Sequence, residues 1–590
     1  MSLRQMLILI SLSTALSACG GGGGGGSSST SSGGGSSSGG PTTPPASNRP
    51  PTVGLAIPDQ TAIQGHPFDF DVTQGGRTFE DQDGDPISYA AHFFIGGIAG
   101  LRIEGTHVLG TPTQATGFVE VWVDGSDGKA GSNVARFVIR VSANRAPARA
   151  TSFSDVLVNV GQAIDVDAAA AGAAFTDADG DPITYQLGLR GSSGLTIEGT
   201  HVRGALASIG ATEVTVTARD GFGGETVENF MIAAPGPTPG APHLPATSYV
   251  YEDGQLQFPY VLTFSYELYP FDSSPNVPTN AGATLGRVLF HDKRMSITNT
   301  MSCASCHKQE HGFASPNRFD TGVLGIPIAR NTMTLTNGRM GLQGDFGFFS
   351  DVRVERLRDA ARSALEARDE LGSRLPDVVT KLRAAGYYEP LFTAAFGSPD
   401  ITGDRVLLAL EQYVRTLLSY RTRFDKTCLP MDNSSVGCEA GFTAQELRGQ
   451  EIFQGAAHVP CTLCHDQWDF HNGWQANNGI DDVVTDPGAT RPAIQRDGSQ
   501  GVFRAGSLRN IARTAPYMHD GRFATLRDVI NHYDHGIKLS RNLDALLKTT
   551  TGDARRMDLS EEDKDALEAF LNTLTDEEML VDPKFSDPFQ

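Results

Sequence analysis

The arrangement of apolar and polar residues changes about 250 residues into the chain. Before that point, short apolar-polar alternations such as 119–123 (VEVWV) are separated by Gly, Pro and Asp turns. This alternation is typical of half-buried β-strands. After that point, apolar residues recur at helical spacing, for example over 353–370 and 404–418. The pattern predicts a multidomain chain in which all-β modules precede a mainly α region.

The β part contains an internal repeat. Residues 79–89 read FEDQDGDPISY, and residues 175–185 read FTDADGDPITY. Each repeat unit is about 95 residues long. Short strands with regular turns over that length predict a β-sandwich, so we expect one sandwich module over 48–143 and a second over 144–234. Both resemble the cadherin-like, immunoglobulin-type repeats of bacterial surface proteins.

Each repeat places carboxylates at alternate positions around a glycine. Oxygen ligands at this spacing suit calcium, and Asp-rich turns of cadherin-like repeats often bind it. A solvated Asp-Gly turn without a metal is the alternative interpretation. The candidate ligands are Asp81, Asp83, Asp85, Asp177, Asp179 and Asp181.

The N-terminus has the features of a targeting segment. A short apolar run follows Arg4, and Leu16-Ser17-Ala18-Cys19 reads as a bacterial lipobox, which predicts a signal peptide over 1–18 and a lipid on Cys19. An ordinary cleaved signal is the alternative. A Gly/Ser-rich tether over 19–47 has little apolar surface to bury. We expect a periplasmic or surface lipoprotein, on the outer membrane by resemblance to other lipoproteins, attached through lipid only.

The net charge of −21 excludes one class of partner. Binding to phosphate backbones requires a basic surface, so nucleic acid is not expected as a partner.

Two Cys-x-x-Cys-His units account for four of the seven cysteines. Each unit is a heme c attachment site, because two thiols one helical turn apart add to the heme vinyl groups and the adjacent imidazole binds the iron. A zinc ribbon is disfavoured because both pairs are followed by His in an exported chain. The predicted heme ligands are Cys303, Cys306 and His307 at heme one, and Cys461, Cys464 and His465 at heme two.

Two further cysteines, Cys428 and Cys438, lie ten residues apart in a polar stretch. In an oxidising compartment they predict a disulfide, and two free thiols are the alternative.

Several motifs surround the heme units in a fixed order. They include 285–290 (LGRVLF), 302–307 (SCASCH), 507–510 (SLRN) and 515–521 (APYMHDG). Together they resemble the bacterial diheme cytochrome c peroxidases over about 249–580. The resemblance implies a peroxidatic heme one domain over 249–439 and an electron-transfer heme two domain over 440–590. A linker, 235–248, precedes them.

The resemblance also implies roles for single residues. Met518 would be the sixth ligand of heme two, where a thioether raises the iron potential; a related subgroup that modifies protein side chains has Tyr as this ligand. Glu370 aligns with the acid/base that moves a proton between the peroxide oxygens. Asn331 aligns with an Asn that binds calcium between the heme domains.

Three positions depart from the family pattern. Val323 stands where many members have a labile distal His, so heme one is expected to be five-coordinate without reductive activation. Ser350 replaces a Trp between the hemes, and Ala360 replaces a Gln near the peroxide pocket. The last two substitutions bear on the efficiency of peroxidase turnover.

The expected cofactors are two covalent hemes c, with calcium as a further candidate. The expected function is the reduction of hydrogen peroxide with electrons from a small periplasmic donor, a cytochrome c or a cupredoxin. One alternative is a diheme oxidase that modifies side chains of a partner protein. The other is a non-enzymatic surface electron-transfer protein.

Overall fold

The computed structural model describes most of the chain from residue 47 onward. The described ranges are 47–129, 131–251, 275–338, 347–432, 435–438, 441–456, 460–466, 470–471, 473–489 and 500–590. The predicted signal peptide, Cys19 and nearly all of the tether lie outside them. Among the described residues, no helix has the length and apolarity needed to cross a membrane.

The described chain divides into two compact units. Of the described residues, the first unit comprises those from 47 to 62 and from 67 to 142, and the second comprises 63–66 and those from 143 onward. The second repeat therefore belongs to the same compact unit as the helical region, whereas most of the first repeat forms a unit by itself.

The first repeat folds into β-sheets around an apolar core. Its strands are β1 (Thr52–Val53), β2 (Gln60–Ile63), β3 (Phe68–Asp71), β4 (Phe79–Glu80), β5 (Ser88–Gly96), β6 (Leu101–Glu104), β7 (His107–Gly110), β8 (Gly117–Ser126) and β9 (Ser132–Ser142). The sheet orders are β2-β9-β8-β5, β3-β7-β6 and β1-β4. Alternate residues of β8, including Val119, Val121 and Val123, are buried in this core. The strict alternation of the sequence therefore reflects one buried and one outward sheet face.

The second repeat reproduces this topology. Its strands are β10 (Ala148–Arg149), β11 (Val156–Leu157), β12 (Ile164–Asp167), β13 (Phe175–Thr176), β14 (Thr184–Gly191), β15 (Leu195–Glu198), β16 (His201–Gly204), β17 (Gly210–Arg219) and β18 (Glu225–Ala234). They pair as β11-β18-β17-β14, β12-β16-β15 and β10-β13, strand for strand as in the first repeat.

The remaining chain is mainly helical. Its helices are α1 (Asn280–His291), α2 (Cys303–Cys306), α3 (Leu357–Glu366), α4 (Leu375–Ala384), α5 (Tyr388–Phe396), α6 (Gly403–Arg415), α7 (Arg423–Thr427), α8 (Ala444–Glu451), α9 (Leu526–Asn531) and α10 (Glu561–Asn572). Short strand pairs are β19 (Leu429–Asp432) with β20 (Ser435–Gly437), and β21 (Gln475–Ala476) with β22 (Phe503–Arg504). The expected fold class, all-β modules followed by a mainly α region, is confirmed.

Two apolar cores divide the helical region, and each contains a close helix crossing. In the first core, α1 crosses α6 so tightly that a Cβ at Gly286 would overlap the carbonyl oxygen of Ala409. In the second core, α8 crosses α10, and a Cβ at Gly449 would overlap the carbonyl oxygen of Ala566. Glycine is required at both crossings because the backbones touch. The two lobes are thus built on the same kind of helix pair.

Candidate heme sites

The first Cys-x-x-Cys unit lies on α2, a single turn of helix. Ser302 caps the turn, and its backbone N–H donates to the Ser305 hydroxyl at 2.9 Å in a capping box. The thiols of Cys303 and Cys306 are outside any disulfide. Burial raises the pKa of each thiol to about 12, so both remain protonated. The turn places two neutral thiols on successive positions of one helical face, as heme attachment requires.

The imidazole of His307 is oriented by its backbone surroundings. Its Nδ1 donates to the carbonyl oxygen of Phe313 at 2.8 Å, and the backbone of Met333 is a second polar neighbour of the ring. Burial lowers the pKa of His307, so the ring is neutral at physiological pH. A neutral imidazole with Nδ1 bonded to a backbone carbonyl is the form in which histidine binds a metal.

A cavity of about 650 Å³ opens beside this unit. Its wall contains Met301, Ser305 and Cys306 on one side, and the segment from Asn317 to Thr321 on another. A ligand held here would contact the Cys306 thiol directly. The neutral thiols, the oriented imidazole and the cavity together fit a covalently attached heme.

Glu370 lies in the turn that follows α3, and its charge acts on both Cys303 and Cys306. Burial raises the pKa of the Glu370 carboxyl to about 7, the negative charge of Asp369 adds to the rise, and Arg353 opposes it. A carboxyl that titrates near neutral pH can both accept and donate a proton. The predicted acid/base therefore lies close to the first heme unit.

The turn that contains Glu370 is hydrogen-bonded to the segment around Val323, the position at which many family members have a distal His. The backbone N–H of Val323 donates to the carbonyl oxygen of Glu370 at 2.9 Å, and the Val323 side chain is buried. Among the nearby histidines, the His311 ring is bonded at 3.2 Å to the carbonyl oxygen of Arg513. Ala360 lies within α3, about one turn after its start.

Ser350 lies where the two lobes meet. Its carbonyl oxygen accepts a hydrogen bond from the backbone N–H of Arg504, on β22, at 2.8 Å. The buried Arg504 guanidinium donates to His471 Nε2 at 2.7 Å and to the carbonyl oxygen of Gly347 at 3.3 Å. Where the family pattern has a Trp, this chain thus has a small residue beside a buried cation.

The second Cys-x-x-Cys-His unit repeats the local design of the first. Cys461 begins a 3₁₀ turn, and burial raises the pKa of Cys461 to about 12 and that of Cys464 to about 11. His465 Nδ1 donates to the carbonyl oxygen of Gly506 at 3.1 Å. Burial lowers the pKa of His465 to about 4, so this ring is also neutral. The second unit therefore fits heme attachment on the same grounds.

Two candidate ligands, Met518 and Tyr533, converge near this second unit. The amide nitrogen of Asn478 lies 3.4 Å from the Met518 sulfur and 3.4 Å from the Tyr533 hydroxyl oxygen. Burial raises the pKa of Tyr533 to about 12, and Cys464 and Cys461 also contribute. Met518 has a positive φ of 75°, and Tyr533 lies in the π-helical turn that follows α9. Such unusual backbone is frequent at functional sites.

Sequence reasoning predicted Met518 as a ligand and did not consider Tyr533. The neighbouring Tyr517 was the obvious phenol, but its hydroxyl donates to the carbonyl oxygen of Ile511 at 2.9 Å. Tyr533 lies 68 positions beyond His465, so the attachment motif gave no hint of it.

The remaining pair of cysteines and the candidate calcium residue Asn331 are also located. Cys428 and Cys438, both buried, form a disulfide bond. The Asn331 side-chain amide donates to the carbonyl oxygens of Asn317 and Arg318, at 3.0 and 3.2 Å. Its backbone N–H donates to the carbonyl oxygen of His519 at 2.8 Å, so Asn331 joins the two lobes.

The aspartates of the repeats have different partners from one another. In the first repeat, Asp83 pairs with Arg49 at 2.6 Å, and Asp85 pairs with Lys129 at 2.5 Å. Asp81 Oδ1 accepts the backbone N–H of Asp83 at 2.8 Å and that of Asp85 at 3.1 Å.

In the second repeat, the candidate metal cluster differs from the predicted set. Asp179 pairs with Arg145 at 2.5 Å. The carboxylates that could share a cation are Asp177, Asp181 and Asp220, whose oxygens lie within 4.8 Å of one another. Asp220 was missed because it lies 39 residues beyond Asp181 in the sequence.

Comparison with known proteins identifies relatives of the helical region. The sequence profile of the di-haem cytochrome c peroxidases matches residues 280–433. A methylamine utilization protein MauG from Methylorubrum extorquens is 32% identical over 306 residues, which are 51% of this chain and 79% of that protein. A cytochrome c551 peroxidase from Nitrosomonas europaea is 29% identical, over 47% of this chain and 82% of that protein.

One solved structure is also similar. It is a MauG-like protein associated with microbial copper homeostasis, 29% identical, with a TM-score of 0.46. The match covers 55% of this chain and 97% of that one.

Proposed function

This chain belongs to the diheme cytochrome c peroxidase family, which includes MauG-type proteins and is an oxidoreductase family with two c-type hemes, and we propose what it does on that premise. It reduces hydrogen peroxide to water with electrons from a small periplasmic donor protein, a cytochrome c or a cupredoxin. The balanced reaction consumes two electrons and two protons for each peroxide and yields two waters.

The observation that carries this proposal is the position and pKa of Glu370. Its carboxyl acts electrostatically on both thiols of the first unit, and its pKa is about 7. In the carboxylate form Glu370 takes a proton from one peroxide oxygen, and in the acid form it returns that proton to the departing oxygen. Proton transfer of this kind contributes about 10²–10⁴-fold in rate.

Cys303, Cys306 and His307 would hold a heme, which would supply the redox chemistry of peroxide cleavage. The second unit, with Cys461, Cys464 and His465, is the proposed entry point for electrons. Met518 is the proposed sixth ligand there, and Asn478 orients its sulfur. The acidic chain, with a net charge of −21, favours a basic donor.

The test is the rate at which purified holoprotein reacts with peroxide in stopped-flow absorbance. We expect Glu370→Gln to slow this reaction by about 10²–10⁴-fold, because Gln preserves size and removes proton transfer. The matched control is Glu389→Gln, on the exposed side of α5. Cyanide binding to both variants should remain intact. A Glu370→Gln protein that reacts at the original rate would refute the proposal.

A second candidate function is the oxidation of side chains on a partner protein. Tyr533 favours it, because the side-chain-modifying subgroup has a Tyr ligand at heme two and this phenol lies beside Met518 near the second thiols. The small Ser350 between the lobes agrees with it. Peroxide consumption without oxidation of reduced donor, together with a covalent change in a co-purified protein, would establish this function over the first.

We also propose that the second repeat binds calcium through Asp177, Asp181 and Asp220. Two oxygens support this: Asp177 Oδ2 and Asn144 Oδ1 are buried and accept no hydrogen bond from the described residues. Asp181 also bonds His66 at 2.8 Å, and a cation would compete with that contact. In the first repeat the Lys129 ammonium pairs with Asp85, so we expect tighter binding at the second. Calorimetric titration of Ca²⁺ into chelator-treated protein, with Asp220→Asn as the variant, tests this.

A further inference from the structure

The two repeats differ in the outer face of the same sheet. In the first repeat this face contains Phe118, which is 49% exposed, and the exposed Arg140 opposite it. In the second repeat the matching pair is Ala211 and Ala233, and both are fully buried. Met231, on the same outer face, is also fully buried. Small residues thus replace large ones where the second sheet is covered.

The cover is the first heme lobe. Ala211, Met231 and Ala233 form one apolar cluster with Ile297, Val323 and Leu324. Gly372, two residues after Glu370, has φ +60, and a Cβ there would lie 3.0 Å from Val323 and 3.4 Å from Met231. The sheet therefore packs against two segments: the turn 367–374, which contains Glu370, and the segment 322–326, which is bonded to that turn.

One aspartate has the same structural role in both repeats, and in the second repeat it also binds the heme one lobe. In the first repeat, Asp59 Oδ1 accepts the backbone N–H of Val138 at 2.8 Å. The counterpart Asp155 accepts the backbone N–H of Met231 at 2.8 Å in the same way. Asp155 also pairs with Arg368 at 2.9 Å and with Arg374 at 3.1 Å.

These two arginines lie on either side of Glu370 in the turn. Arg374 also donates to the carbonyl oxygen of Phe153 at 2.7 Å. Between the arginines, the turn bonds back to the lobe: the N–H of Val323 donates to the Glu370 carbonyl, and the N–H of Ile297 donates to the Leu371 carbonyl at 3.0 Å. The only carboxylate that joins Arg368 to Arg374 among the described residues is Asp155, which belongs to the sandwich.

We propose that the second β-sandwich is part of the heme one site, with Asp155 and Met231 as positioning residues that hold the Glu370 turn against the Val323 segment. The catalytic consequence of this contact rests on the proposed function, in which Glu370 transfers the proton. The sandwich is then a component of the enzyme, in addition to any binding role of the repeats.

The first test removes the charge and preserves the hydrogen bond inside the sandwich. Asp155→Asn can still accept the N–H of Met231 at Oδ1, but it removes the negative charge that pairs with both arginines. It also places an amide NH2 group where Oδ2 now faces Arg374 Nε at 3.1 Å. The matched control is Asp59→Asn, because Asp59 accepts the equivalent backbone N–H, that of Val138, and pairs with no arginine among the described residues. Hydrogen exchange of peptides covering 319–326 and 367–374 is the readout in holoprotein. We expect both segments to exchange at least about tenfold faster in Asp155→Asn than in the wild type. In the control variant we expect their exchange rates to be unchanged.

A second variant separates the sheet from the lobe without disrupting the sandwich. Ala233→Arg copies Arg140, which the first repeat has at the same strand position, so the module itself should fold. We expect it to accelerate exchange in the same two segments more than Asp155→Asn does. Unchanged exchange in both variants would overturn the proposal.

Kinetics then distinguish failure of this inference from failure of the proposed function. We expect Asp155→Asn to slow the peroxide reaction several-fold in the wild-type background and to have no further effect in Glu370→Gln. If exchange accelerates while Glu370→Gln reacts normally, the contact is real and the catalytic assignment is wrong. If Asp155→Asn slows Glu370→Gln as much as wild type, the sandwich does not act through Glu370 and the proposal fails.

Discussion

The two heme attachment units hold their imidazoles in nearly the same way, but they differ in the other side chains nearby. His307 and His465 both donate Nδ1 to a backbone carbonyl, and both rings are neutral because they are buried. The first unit has the carboxyl of Glu370 nearby, whereas the second has Asn478 with two candidate ligands. Under the proposed function, attachment sets where a heme is bound, and the additional side chains determine whether the site performs chemistry or transfers electrons.

The largest effect should come from removing one attachment unit at a time. Cys461→Ser with Cys464→Ser should remove one of two hemes, leaving the first site loaded. Turnover with a reduced donor should be lost, because the entry point for electrons is gone. Intact-protein mass spectrometry counts the hemes. Cys303→Ser with Cys306→Ser is the matched variant, and it should lose one heme and the peroxide reaction itself. Two hemes in either variant would contradict the attachment argument.

The comparison also predicts that only the first site is open in the oxidised protein. Val323 has no metal-binding atom and its side chain is buried in the apolar cluster, so we expect a high-spin ferric signal from the first site. Cyanide should bind there without prior reduction, as followed by heme absorbance and electron paramagnetic resonance. The double variant that lacks the first unit is the control and should show neither response. A wholly low-spin spectrum would mean that another side chain fills the site.

The second site should respond to its own ligands. Under the peroxidase proposal, Met518→His lowers the potential of heme two by on the order of 0.1 V, because an imidazole replaces a thioether. Tyr533→Phe is the companion variant and should leave that potential and the near-infrared Met–iron band unchanged. Spectroelectrochemical titration measures both. If Tyr533→Phe shifts the potential of heme two and Met518→His does not, the phenol is the ligand, and side-chain oxidation becomes the favoured function.

What the sequence predicted depended on whether the signal was local. The attachment units and the alternating strands were predictable because neighbours in sequence form them. Tyr533 and Asp220 were not, because each meets its site through chain folding over tens of residues. The burial of the outer face of β18 has a local signal in the sequence. Residues 230–234 (FMIAA) are continuously apolar, whereas a strand that is buried on one side only alternates apolar and polar residues. That run indicated a covered sheet, but the sequence did not identify the heme one lobe as the cover.

The smallest expected effect is a shift in the pH dependence of the first site. The Glu370 pKa of about 7 lies above its ordinary value of 4.5, so the fraction of carboxylate rises as pH increases through 7. Proton removal from peroxide needs the carboxylate, and the stopped-flow rate should fall about tenfold per pH unit below that point and level off above it. Asp369→Asn removes a negative neighbour that raises this pKa, so its inflection should move to lower pH. Glu370→Gln should have no such inflection, and the second site, with no acid assigned to it, should not alter the profile. An inflection that persists in Glu370→Gln would assign the titrating group to another residue.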